Sequence, residues 1–364
     1  MSKIRILMAT HAPLSAEFGA AQAAINLSEA LQEQGYDVTL WSPHPLPSFP
    51  RWWQRFKNIQ LIRSKLDAFL DTQEPFDVID CTGALITKKV SRSINLIVAR
   101  SVQPEILYIL SGLLNPQKKI LKQIALLPFN CFFGFAHLCL LVQGWTRASY
   151  ILCLGSLELE WMKKWFPWWE YKSLFYINAL SNKDQIELAK VRLNRIQKEK
   201  VGVNFLWIGR WVAHKGIDRL VDFILQRIAS NPQDTFTIAG CGLDAEKNFP
   251  PELIKLGVVK FIPSFVRSEL YPLLANHDAG LFTSKIEGWG LTLNEMLESG
   301  MPVFATRAGG VPDLQPYFET LMSFPPPEKL TSHLSNSCQI IDNYHVSCSW
   351  HKVAEIYITK ILTI

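Results

Sequence analysis

KIEGWGLTLNEMLESGMPVFATRAGGVPD, residues 285–313, is the stretch whose reading decides the fold. An apolar run of strand length, AGLFT at 279–283, leads into it. Then come a glycine-flanked turn at Gly288-Trp289-Gly290, a helical segment, and a stop at Gly300-Met301-Pro302. A second apolar run, Val303-Phe304-Ala305, ends in the Gly309-Gly310 turn. Strand, loop, helix, strand, loop is the order of a parallel α/β sheet. Two acidic residues, Glu287 and Glu295, bracket the turn that opens the helix, an arrangement suited to holding an anion beside a polar ring.

The same alternation extends upstream. Residues 203–208 read as a strand, followed by the loop Gly209 to Gly216 and a helix over 217–229; strands follow at 235–239 and 258–262, then a helix near 267–275. The N-terminal half repeats the scheme, with strands at 3–9, 36–41, 78–80, 95–99 and 150–154. Between the first two lies a helix whose Ala24, Leu27 and Leu31 share a face, and a strand–helix–strand unit of this length implies a right-handed crossover. Ser156 reads as the cap of a helix over 157–165, and the polar segment 181–200 reads as the inter-domain connection. At 364 residues the chain suits two domains, expected at 1–181 and 182–345.

Composition sets further limits. An apolar share of 48% and a charged share of 19% describe a folded chain. A net charge of +5 fits phosphate-bearing substrates or an anionic membrane surface. No Lys/Arg run interleaved with aromatics occurs, so no nucleic-acid partner is expected. The seven cysteines show no metal-ligand spacing and sit mostly in apolar runs, which points to a reducing, cytoplasmic setting. The opening MSKIRILMATHAP reads as a first strand and not as a leader. Residues 123–146 hold no charged side chain and follow Lys118, Lys119 and Lys122. Three readings of 118–147 stand: a buried helix, a face resting on the anionic inner surface of a membrane, or a span, against which Pro128, Asn130 and His137 weigh.

Gly209 and Arg210, with Lys215 and Gly216, lie just past a strand's carboxyl end. Arginine presents a rigid donor fork and lysine a mobile charge, and both suit a diphosphate; a solvated basic loop is the plainer alternative. The pattern gains weight because Gly288-Trp289-Gly290 opens a helix at the equivalent end of a later strand, where free N–H groups favour an anion. Glu287 and Glu295 are eight residues apart and reach one cleft at different depths, and a carboxylate accepts well from vicinal hydroxyls. The first loop holds one glycine, Gly19, and no GxGxxG, so no NAD-type site is expected; Gly19 serves either a turn or a close ligand approach.

Taken together, Gly209-Arg210, Lys215-Gly216, Glu287-Gly288-Trp289-Gly290-Leu291, Glu295, Gly300-Met301-Pro302-Val303 and Gly309-Gly310 resemble the retaining, nucleotide-sugar-dependent glycosyltransferases of family GT4. The resemblance is strong over 203–313 and weaker before it. It implies the GT-B fold: α/β, two doubly wound Rossmann-like domains facing a central cleft. It also implies that 346–364 ends in a helix returning to the N-terminal domain. Arg210 and Lys215 would bind the donor diphosphate and stabilise the leaving group, with Glu287 on the transferred sugar and Glu295 on the ribose. The backbone of Gly288, Trp289, Gly290, Leu291 and Thr292 would meet sugar and phosphates, and Gly19 would approach donor or acceptor from the opposite domain. The partners implied are a nucleoside diphosphate sugar and a lipid-linked or other glycan acceptor, with no metal and no further cofactor. Three positions depart from the family pattern: Ala20 follows Gly19, Val102 or Gln103 stands where a histidine is often found, and Asp313 replaces a glutamate. A sugar-nucleotide epimerase or a non-catalytic homologue is the alternative.

Overall fold

The structure, a computed structural model, describes residues 3–15, 19–47, 55–113, 120–195, 201–330 and 342–362. The chain divides into two compact units, one of Met1–Ala179 with Cys348–Ile364, the other of Leu180–Ser347.

The first unit is built on six parallel strands, β1 (Arg5–Ala9), β2 (Asp37–Trp41), β3 (Val78–Cys81), β4 (Leu96–Arg100), β5 (Tyr150–Leu154) and β6 (Ser173–Tyr176). Their order is β2-β1-β3-β4-β5-β6, with Ile6 of β1 in register with Val38 and Val78. The central strands are mostly apolar because helices cover both faces of the sheet, Asp80 and Arg100 being buried as a pair. One of these, Arg55–Thr72, puts Ile62 and Leu66 in the core and was not foreseen in the sequence.

Helix Ile120–Arg147 seats Leu141 and Trp145 on the turn Gly83–Leu85. Only glycines permit that approach: a Cβ on Gly144 would lie 1.8 Å from the Gly83 carbonyl oxygen. The opposite face is apolar yet open, with Phe129, Phe132 and Phe135 exposed to 51%, 64% and 66%. Segment Leu127–Arg147 is long and apolar enough to cross a membrane, and 11% of its most apolar window is buried, so this is not a core helix. Lys118 and Lys119 lie outside the described residues.

Two local expectations are corrected. Ser156 does not cap the helix after β5; it is the first residue of Ser156–Trp165, behind Gly155 at φ 85°. The Glu158 carboxylate, one turn in, accepts instead from the Leu154 N–H at 2.7 Å and the Ser101 hydroxyl at 2.6 Å. Much of the segment read as a connection is a helix, Asn182–Leu193, whose cap Ser181 accepts the Asp184 N–H at 3.2 Å. It belongs to the second unit, held there by Arg192 on the Glu298 carbonyl and Arg195 on those of Leu274 and His277.

After the second unit the chain rejoins the first through helix Trp350–Tyr357, which packs on helix Gly19–Glu33. Its Tyr357 ring and that of Tyr176 lie over the Arg100 guanidinium at 5.8 and 5.0 Å. Arg100 holds the Asp80 carboxylate in a two-point pair, 2.8 Å at Nε, with both side chains at most 5% exposed.

The second unit has β7 (Asn204–Ile208), β8 (Thr235–Ala239), β9 (Val259–Ile262), β10 (Ala279–Phe282), β11 (Val303–Ala305) and β12 (Leu321–Ser323), all parallel, in the order β12-β11-β10-β7-β8-β9. Chain order reverses between β10 and β7. In an open α/β sheet the crevice at such a reversal, outside the carboxyl ends of the strands, is where ligands bind.

Candidate active site

The loops leaving β7 and β10 are laced together at that crevice. The His214 carbonyl accepts the N–H groups of Lys285 and Ile286 at 2.8 and 3.2 Å, and the Thr283 hydroxyl donates to the Lys215 carbonyl at 2.8 Å. The Trp207 indole N–H fixes that hydroxyl from below at 3.0 Å. Gly216 makes the closeness possible: it sits at φ 66°, and a Cβ there would lie 1.9 Å from the Thr283 carbonyl oxygen.

The lacing brings Lys215 Nζ onto Glu287 Oε2, which also accepts from Ser284 Oγ at 3.2 Å. Both members of the pair are partly open, 16% and 11% exposed. Arg210, at the carboxyl end of β7, is exposed and in no ion pair among the described residues. The His214 imidazole is pushed down to about 4 by burial first, then by the Lys215 and Arg210 cations, with Glu287 opposing. It is therefore neutral at neutral pH, and the positive charge of the site comes from Arg210 and Lys215.

Helix Leu291–Glu298 starts at the crevice behind Gly290, at φ 89°. Trp289 is 2% exposed; its indole N–H donates to Asn294 at 2.9 Å, and Asn294 in turn donates to Glu298 and to the Tyr344 hydroxyl. The Trp289 ring is thus flooring. Its carbonyl accepts the Gly310 N–H at 2.8 Å, and a Cβ on Gly310 would lie 2.8 Å from the indole. Gly288, Trp289 and Gly290 are buried and Leu291 and Thr292 half-buried, and the first N–H groups of the helix have no intrahelical acceptor.

Glu295 lies deeper, 3% exposed. Its Oε1 accepts from Nη1 of Arg267, whose Nε reaches Asp184 at 3.1 Å. Asp184 also accepts from the Tyr271 hydroxyl at 2.8 Å and Ser181 Oγ at 2.7 Å. Burial pushes the Glu295 carboxyl up to about 7, Arg267 pulling it down and Asp184 and Glu298 pushing further up. Arg267 and Asp184 escaped the sequence reading, because nothing in the local pattern around Glu295 names a partner 28 positions upstream.

Gly19 belongs to the first unit, where it is the exposed first residue of its helix; Arg210, Lys215, Glu287 and Glu295 belong to the second, where Lys215 pairs with Glu287 and Glu295 with Arg267. Val102 and Gln103 follow β4 in a loop. The imidazoles of that unit come from elsewhere: His44, in the loop after β2, has its Nε2 3.1 Å from the His11 carbonyl oxygen, and His137, on helix Ile120–Arg147, has its Nε2 3.4 Å from Glu105. Glu158 is pushed up to about 7 by burial, with its bonds from Ser101 and Leu154 opposing.

Residues 202–336 match the family described as glycosyl transferases group 1. An uncharacterized 41.2 kDa protein in the cps region of Klebsiella pneumoniae is 30% identical over 141 residues, 38% of this chain and 37% of that protein. The phosphatidylinositol N-acetylglucosaminyltransferase gpi3 subunit of Schizosaccharomyces pombe is 29% identical over 132 residues, 35% of this chain and 29% of that protein. The matched region is thus about a third of each curated relative. Among solved structures, one titled trehalose-6-phosphate from E. coli bound with UDP-2-fluoro glucose superposes with a TM-score of 0.67 at 12% identity, covering 99% of both chains. Residues 202–336 are thus similar to the group 1 glycosyl transferases, within a chain that has the two-sheet α/β fold of the GT-B structures.

Proposed function

We propose that this chain is a retaining glycosyltransferase that moves a hexose from a nucleoside diphosphate sugar to a lipid-linked or polysaccharide acceptor. The observation that carries the reading is the Lys215–Glu287 pair, with the exposed Arg210 on the same loop, at the strand-order reversal and at a helix start. A diphosphate at this point meets two cations and the first N–H groups of the helix, which stabilise the negative charge that grows as the glycosidic bond breaks. Glu287 accepts from hydroxyls of a sugar that turns oxocarbenium-like in that step, and Glu295 from those of the ribose. Side-chain cations do the neutralising, so the reading invokes no metal.

The donor is tested by thermal shift with UDP-, GDP- and ADP-sugars. One class raises the melting temperature, since a ligand at a hundredfold its Kd stabilises the folded chain by about 2.7 kcal/mol. No shift with any class, together with no transfer, overturns the donor reading. The absent histidine at Val102 or Gln103 favours a second reading, a sugar-nucleotide-binding homologue without catalysis. Transfer or donor hydrolysis by the pure chain excludes it.

The acceptor class rests on helix Ile120–Arg147. The exposed stripe of Phe129, Phe132 and Phe135 adjoins a stretch, residues 106–157, with no acidic residue and with Lys118, Lys119, Lys122 and Arg147. Such a face suits the anionic inner surface of a membrane, with a cytoplasmic protein held at its periphery. Relatedness to a protein of a cps region agrees with a cell-envelope polysaccharide as the product. Co-sedimentation with phosphatidylglycerol vesicles is expected, weakened by salt and lost in the double variant Phe132→Ser, Phe135→Ser. Each phenylalanine withdrawn from lipid costs about 1.5–3 kcal/mol, so binding as tight as the wild type's excludes this face.

A further inference from the structure

We propose that Arg267 is a positioning residue of the donor site: it keeps the buried Glu295 carboxylate charged and aims it, leaving one oxygen for the ribose hydroxyls. The proposal rests on the reading in which Glu295 holds the ribose.

Three elements crowd Glu295 with charge. Its own helix contributes Glu298, fully buried, and helix Asn182–Leu193 contributes Asp184. The cation that answers them comes from helix Arg267–Ala275, which also brings Tyr271 to Asp184. His345, on helix Asp342–Ser347, contacts Glu298 at 3.0 Å and serves that acid instead. Arg267 therefore stands between Glu295 and Asp184 as the counter-charge to both. Without it, a carboxyl buried beside two other acids takes up a proton, and a protonated carboxyl is a weaker acceptor for a diol.

The geometry is that of an aiming device. Arg267 donates to Oε1 of Glu295 alone, so Oε2 is the oxygen left for a ligand. The guanidinium is steadied on its other side by Asp184, itself held by Tyr271 and by the helix cap Ser181. The Arg267 side chain is 31% exposed, too open to be filling the core, so its removal leaves little cavity.

The experiment is donor affinity against pH, by calorimetry on the full chain with UDP-glucose, GDP-mannose and ADP-glucose, whose sugar-capped diphosphates do not titrate between about pH 6 and about pH 9. His214 titrates well below that window and leaves it clear. The ionised form of Glu295 is the binder, so wild-type affinity is complete above its raised pKa and falls as pH drops through about 7. In Arg267→Met the midpoint moves upward, affinity at neutral pH falls about tenfold, and it recovers at high pH, as expected for exchanging a charge-assisted for a neutral hydrogen bond. Arg267→Lys keeps the wild-type midpoint, and Glu295→Gln binds weakly at every pH. An Arg267→Met variant with the wild-type profile, or with the same loss at every pH, overturns the proposal while the donor reading stands. A wild-type chain that binds none of the three overturns both.

Discussion

Glu287→Ala lowers kcat about a hundredfold to a thousandfold and leaves the chain folded. The magnitude is that of removing one preorganised polar contact from a developing transition-state charge. Folding survives because Glu287 sits on the loop 285–290, partly open, and its partner Lys215 regains water when the pair is broken. Lys215→Ala acts on the other half of the same pair: under the proposed function it withdraws a cation from the departing diphosphate and frees Glu287. The loss is in turnover more than in donor binding, since Arg210 and the helix start remain to hold the phosphates. Single-turnover transfer, with circular dichroism as the control for folding, reads both. A folded Glu287→Ala chain with wild-type turnover removes Glu287 from the site.

Asp80→Ala destabilises the first unit by about 3–5 kcal/mol, the usual cost of stranding one member of a buried ion pair. Asp80 and Arg100 are 1% and 5% exposed in side chain, and the aromatic rings over Arg100 come from β6 and from helix Trp350–Tyr357. Removing the acid leaves a guanidinium sealed under tyrosines without its anion. A melting temperature lower by roughly 10 °C is expected for a unit of this size. The double variant Asp80→Leu, Arg100→Met recovers most of the loss, since a packed apolar pair can replace a buried salt bridge. An Asp80→Ala chain that melts with the wild type contradicts the assignment of this pair as a structural centre.

Much of the architecture was legible because buried parallel strands are plain in a sequence: FLWI, FTIA, GLF and VFA stand as short apolar runs between glycines and polar turns. Gly288-Trp289-Gly290 was legible as a helix opening for the same reason, since few residues tolerate the backbone that Gly290 adopts. Helix Arg55–Thr72 was not, because six Lys, Arg and Asp residues interrupt its apolar face. Strand Leu321–Ser323 was not, since only Leu321 of its three residues is buried and no apolar run marks it, and the polar composition of Asn182–Leu193 read as a linker until tertiary contacts were seen. At the site, the residues on consecutive loops were readable as a motif. The partners of Glu295 were not, since Arg267 and Asp184 reach it through space from helices whose own patterns serve other ends.

The first unit is made of two pieces of chain, the second of one. That has a consequence for how the molecule is born. A ribosome delivers Met1–Ala179 and then spends roughly 10–30 s on Leu180–Ser347 before Cys348–Ile364 appears, at about 5–20 residues per second. Through that interval helix Gly19–Glu33 lacks its cover and Arg100 lacks the Tyr357 ring, while the second unit has all of its own sequence in hand. The later-made half can therefore close first, and the earlier-made half waits for its last helix. A nascent chain stalled before residue 348 should accordingly carry a protease-resistant second unit behind a first unit still open to cleavage.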